Sequence, residues 1–271
     1  MPKVLLFHDS GSTAEVYLNG AQVTSWRPAG GGEHLFLSAA SRFEKGKPIR
    51  GGIPVVFPQF ADSGPLPKHG WLRTSQWHLA TTGDPAEARF FVEDDDATRD
   101  LWPHPYRAEL SVRIDQQTLQ VQLVITNTGA EAFSFTSALH TYLSVQDVTR
   151  AFVSGLEGAE YIDKTDRRRV KRDAAPELEM AGETDRVYVD APRALWLVSS
   201  DDKRSIEITS TAFPDVVIWN PGRETSRRLP DMADDDYTRM ICIEAAVAQK
   251  PHTLAPLETW TGSQHLAAVL R

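Results

Sequence analysis

Between Lys47 and Trp77 the chain reads KPIRGGIPVVFPQFADSGPLPKHGWLRTSQW, with five prolines and four glycines around a short apolar core. Proline cannot donate to a β ladder, so an ordered, packed loop is expected here. Arg50, Lys68, His69 and Arg73 are set into it. Four cationic or potentially cationic side chains on stiff backbone suit an anion. Arginine suits one best, because its planar fork gives a phosphate two parallel hydrogen bonds. Further along, Glu244 sits in the apolar run MICIEAA. In an extended chain Ile241, Ile243 and Ala245 share one face, and Cys242, Glu244 and Ala246 the other. A lone buried carboxylate is costly. The pattern therefore leaves two readings open, a solvated strand face or a working acid–base group. His140 closes an alternating run, and by pattern alone it is either a satisfied, half-buried histidine or a proton carrier.

The elements that must position these groups are strands. Thr118–Asn127 alternates apolar and polar residues with period two, and 107–115 does the same. Gln116-Gln117 joins them as a short hairpin. Segments 88–93, 132–139, 194–199, 205–211, 216–220 and 240–246 read as further strands. Asn19-Gly20 lies between 15–18 and 22–26, a strong hairpin signal. No long segment has a helical period, and no glycine-rich strand-to-helix turn is present, so a dinucleotide fold is disfavoured. An all-β, large antiparallel sandwich with little helix is expected, as one domain over residues 1–271.

Composition narrows the function classes. The 271 residues are 41% hydrophobic and 24% charged, too apolar for a disordered chain. The formal net charge of −8 argues against bulk binding to nucleic acid or acidic membrane. No apolar run approaches a membrane span or a signal peptide, so the cytoplasm is expected. The single cysteine, Cys242, allows no internal disulfide and no cysteine-based zinc cluster. The acidic runs 93–100 and 231–236 and the mixed run 163–173 are read as solvated loops. The aromatics Trp71, Trp77 and Trp102 are read as core.

RGGIPVVFPQF followed by LPKHGWLR closely resembles the glucose-6-phosphate 1-epimerase family, hexose-6-phosphate mutarotases related to aldose 1-epimerases. LHTYL (139–143), DRVY (185–188), VIWNP (217–221) and ICIE (241–244) continue the resemblance in order. It implies a galactose-mutarotase-like β-sandwich. It places His140 on the family's catalytic histidine and Glu244 on its catalytic glutamate. Arg50 and Arg73 fall on arginines that hold the 6-phosphate. Lys68 and His69 fall on the sugar-contacting segment, Asp185 on a sugar-binding aspartate, and Trp219 on the WNP motif. The substrate implied is a hexose 6-phosphate, D-glucose 6-phosphate first, handled by a monomer without cofactor or metal.

The chemistry asks for these residue types. Anomer exchange breaks the C1–O5 bond. One group takes the O1 proton while another protonates the ring oxygen, and after rotation about C1–C2 the ring recloses. Glu244 would be the base and His140 the acid. The phosphate brings roughly −1.5 to −2 charges, which a pair of arginines selects over a free sugar. Five positions depart from the family pattern: Lys68, Leu72, Gly222 and Ala245-Ala246. Lys68 adds positive charge, and Gly222, where tryptophan is usual, would widen the pocket. Two other classes compete. A non-catalytic sugar-phosphate-binding sandwich would bind without turnover. A glycoside hydrolase would want two carboxylates rather than a His/Glu pair.

Overall fold

The computed structural model describes residues 1–80, 83–200 and 204–270. Its two large sheets are antiparallel throughout. The nine-stranded sheet runs in the order Glu177–Glu179, Ala151–Ser154, Ala194–Ser199, Arg204–Thr211, Thr259–Leu270, Thr118–Asn127, Tyr106–Ile114, Glu87–Glu93, His78–Ala80. The eight-stranded sheet runs Arg169–Arg172, Glu160–Asp163, Thr184–Tyr188, Asp215–Asn220, Met240–Leu254, Phe133–Leu139, Val55–Val56, and Tyr142–Ser144 also pairs with Met240–Leu254. A three-stranded sheet, Lys3–Phe7, Thr13–Tyr17 and Gln22–Arg27, joins through the bridge of Val23 to Ile53. The expected all-β sandwich is present. Among the described residues, helix is confined to Asp96–Leu101, Gly222–Ser226 and three short 3-10 turns.

Alternation explains the layering. Leu119, Val121, Leu123 and Ile125 of one sheet are buried in the same apolar cluster as Ile241, Ile243 and Ala245 of the other. This cluster is the core between the sheets. Burying each such side chain contributes about 1.5–3 kcal/mol. On the opposite face of Met240–Leu254, Ala246 packs with Val56, Phe60, Ala138, Val187 and Val217, and Cys242 packs with Phe36, Tyr142, Met232 and Met240. That outer face is therefore covered, and it carries Glu244.

Several expectations are corrected. The run 163–173 folds as the turn and second strand of an edge hairpin, with Arg169–Arg172 paired to Glu160–Asp163. The run 93–100 ends a strand and starts a short helix, capped by Asp95, whose side chain accepts from the Thr98 amide. The run 231–236 is solvated only in part: Asp234 and Asp235 are exposed, but Asp236 is buried and accepts from the Ser38 hydroxyl at 2.6 Å. The proline-rich segment is a packed loop for most of its length, but Val55–Val56 adds a short strand against Leu139 and Ala138.

Candidate active site

The cleft lies on the outer face of the eight-stranded sheet and is built by register. Glu244 is directly opposite Val217, Cys242 is opposite both Trp219 and Tyr142, and Trp219 is opposite Asp185. His140 follows the Leu139–Ala245 pair, and its amide donates to the Pro54 carbonyl at 3.0 Å. Residues far apart in the chain thus share one patch of sheet.

The proline-rich loop closes over this patch, and its glycines are sterically required. Gly52 has φ +63°, and a Cβ there would lie 2.0 Å from the Val23 carbonyl oxygen. Gly70 has φ +62°, and its Cβ would meet the Phe57 carbonyl oxygen at 1.9 Å. Only glycine tolerates both the left-handed backbone and this approach. The Gln22 amide donates to the carbonyls of Ile49 and Gly51. The Gln59 side chain donates to the Leu66 carbonyl and accepts from its amide. The loop is held at both ends.

At the floor, His140 Nε2 and Glu244 Oε1 are 3.4 Å apart. Glu244 is 2% exposed and His140 9%. Glu244 Oε2 and His140 Nδ1 are buried with no hydrogen-bond partner. The solvated-face reading of Glu244 is therefore wrong. The side chain does leave the core, but the loop and the aromatic side chains around it exclude water. Burial, reinforced by the Asp185 charge, pushes the Glu244 carboxyl well above the usual carboxylate range. Burial, reinforced by Arg50 and Arg73, lowers His140 to about 3. Both shifts favour keeping the pair's proton on Glu244 rather than on His140.

The surroundings hold His140 in place. The Tyr142 ring stacks on it at 4.8 Å and 9°, and Trp219 stands edge-on at 6.0 Å. His69 lies 5.5 Å away, ring to ring. Burial, with His140 and the nearby cations, drives the His69 pKa far down. Its Nδ1 accepts from the Ala61 amide at 3.3 Å, so the neutral ring offers Nε2–H as a donor.

The expected cations separate into distinct environments. Arg50 is already engaged: Nε and Nη2 hold Asp231, and Nη1 donates to the Tyr142 hydroxyl at 2.9 Å. Burial opposes its charge, but Tyr142 and Asp231 outweigh that and raise its pKa. Arg73 Nη2 donates to the Lys68 carbonyl at 2.9 Å, and its Nε is buried without a partner. Burial and the nearby Arg50 lower its pKa. Lys68 is exposed at the rim.

Asp185 pairs with Lys164 at 3.0 Å, and burial raises its pKa despite that cation. Lys164, Tyr142 and Asp231 are site residues that sequence reasoning did not single out. Tyr142 had a signal, since it follows His140 by two in LHTYL and so shares its face of an extended chain. Asp231 had one too, as a counter-charge sought by an arginine.

Two of the departures point away from the cleft. Leu72 and Ala245 lie in the inter-sheet core. Gly222 has φ +60°, and a Cβ there would strike the Glu183 backbone at 2.7 Å. The glycine thus fits a close backbone approach. Of the aromatics, Trp71 and Trp77 are core, Trp102 packs on the core, and Trp219 alone borders the cleft. One set among the described residues has donor atoms close enough for a metal ion: His140, Cys242 and Glu244, within 4.8 Å of one another.

A sequence model of the aldose 1-epimerase family matches residues 2–267. The chain belongs to this family. Among its relatives, a Cenchrus ciliaris protein named "Putative glucose-6-phosphate 1-epimerase" is 34% identical, over 99% of this chain and 85% of that one. An Escherichia coli K12 protein of the same name is 33% identical, over 95% and 86%. A crystal structure of a "putative mutarotase" from Salmonella typhimurium superposes with a TM-score of 0.91 at 29% identity, covering 98% of this chain and 90% of that one. This aldose 1-epimerase carries no helix long and apolar enough to cross a membrane among its described residues.

Proposed function

We propose that this epimerase interconverts the α and β anomers of hexose 6-phosphates, D-glucose 6-phosphate first. The observation that carries the reading is the buried His140–Glu244 pair, 3.4 Å apart with its outer polar atoms unpartnered, beside two arginines. Glu244 takes the O1 proton and His140 protonates O5. Acid–base groups of this kind each contribute typically ~10²–10⁴-fold. These roles need the shared proton on His140. The substrate phosphate supplies the cause: it offsets the positive charge of Arg50 and Arg73, which disfavours the imidazolium. Arg73, with its unpartnered Nε, and Arg50, with donors left beyond Asp231, would receive the phosphate. His69 Nε2–H and the Asp185 carboxylate, steadied by Lys164, would hold sugar hydroxyls beside Trp219, and Lys68 would add charge at the rim.

The test is anomer exchange by NMR on glucose 6-phosphate, with free glucose and galactose alongside, at several enzyme concentrations. Acceleration of the phosphate ester alone supports the reading. Equal acceleration of the free hexoses would replace the substrate class. Binding without acceleration would favour a sugar-phosphate-binding protein.

A further inference from the structure

Cys242 has no part in the chemistry above, yet it shares the floor of the cleft. Its strand sets it two residues from Glu244 on the same face, and it is fully buried and unbridged. One donor atom from each of His140, Cys242 and Glu244 falls within 4.8 Å of the others. Glu244 Oε2 is buried and unpartnered, so ligation of the carboxylate can satisfy a group that nothing else satisfies. An imidazole, a thiol and a carboxylate form the donor set of a borderline-soft divalent ion. Tetrahedral bonds of about 2.0–2.3 Å place ligand atoms roughly 3.4–3.7 Å apart. His140 and Glu244 already meet that spacing at 3.4 Å. The remaining contacts need to close by about an ångström at most.

We propose that Zn²⁺, or Cd²⁺ in its place, binds His140, Cys242 and Glu244 as an inhibitor that occupies the substrate's place. The ion takes an imidazole lone pair, a carboxylate oxygen and the Cys242 sulfur. The thiol proton and the proton held by the His140–Glu244 pair leave to solvent, and no electron is transferred. Water fills the fourth position toward the cleft. With both members of the acid–base pair ligated, neither can exchange a proton with a sugar.

Because Cys242 is the one cysteine in the chain, a thiolate-to-cadmium ultraviolet band reports this site alone, in the wild-type protein and independently of turnover. Titrating chelator-stripped enzyme with Cd²⁺ is expected to give that band at one equivalent. Anomer exchange on glucose 6-phosphate should fall in parallel, and excess chelator should reverse both. Cys242→Ser should keep basal exchange and need at least roughly ten-fold more Zn²⁺ for the same inhibition, since even outer-shell partners of a metal are worth 10–100-fold. Absence of the band at saturating Cd²⁺ would overturn the site. A full band with undiminished exchange would overturn its inhibitory role. If no sugar tested is turned over, the band still decides whether the site exists.

Discussion

At the residue scale, two groups are held against their solution preferences. Burial and the Asp185 charge favour the protonated carboxyl of Glu244, and burial with the Arg50 and Arg73 charges favours a neutral His140. Glu244→Gln and His140→Ala are each expected to lower kcat by about 10²-fold or more with the fold retained. Circular dichroism beside NMR exchange rates checks this, and wild-type rates in either variant would reject the pair. Arg73 differs from Arg50 in having no carboxylate partner in the cleft. Arg73→Ala should therefore act on binding. A charge-assisted hydrogen bond contributes about 1.5–3 kcal/mol, so KM for glucose 6-phosphate should rise roughly 10- to 100-fold with little change for free glucose. An unchanged ratio between the two sugars would exclude Arg73 as a phosphate ligand.

At the element scale, the decisive device is the loop 47–77 laid across a sheet face. Its glycines allow backbone to touch backbone, which brings His69 and Arg73 to within reach of strand residues. Gly70→Ala forces a Cβ into the Phe57 carbonyl at a left-handed φ. It should cost about 1–3 kcal/mol in strain and displace His69. Urea unfolding measures the first effect and KM the second, and a variant indistinguishable from wild type in both would show that the loop yields freely. Much of this architecture was legible. Thr118–Asn127 and Ala194–Ser199 have the bounds read from the sequence, and the first alternates in burial along its whole length. Thr259–Leu270 was missed although it is central in its sheet, because Gly262 and a mixed composition blur its period. The short edge strands were missed too. Their pairing comes from a neighbour, not from their own apolar pattern.

At the scale of the whole molecule, folding concentrates ionisable groups in one dry cleft, and stability then depends on pH. The folded pKa of Glu244 is raised above its unfolded value. Its contribution is fully present below about pH 4.3 and is lost as pH rises through the folded pKa. His140 is depressed to about 3, so its contribution is present above about 6.5 and is lost as pH falls toward that value. The two slopes have opposite sign where their ranges overlap. Glu244→Gln should therefore gain stability relative to wild type as pH rises, by up to about 1.4 kcal/mol per pH unit until the folded carboxyl ionises. Melting temperatures of both proteins at pH 6, 7 and 8 check this, and a constant difference would mean that Glu244 is ionised in the fold.

The sequence alone determined the β-sandwich class, the packed proline-rich loop and the identity of the groups able to do chemistry. Each of these is written in local pattern: alternation, proline and glycine spacing, and ordered motifs. Only the tertiary structure decided which of those groups meet. It buried Glu244 beside His140, turned Asp231 onto Arg50 and Lys164 onto Asp185, and set Cys242 beneath the pair. Strand register and loop closure join residues more than a hundred positions apart, and no local periodicity carries that information.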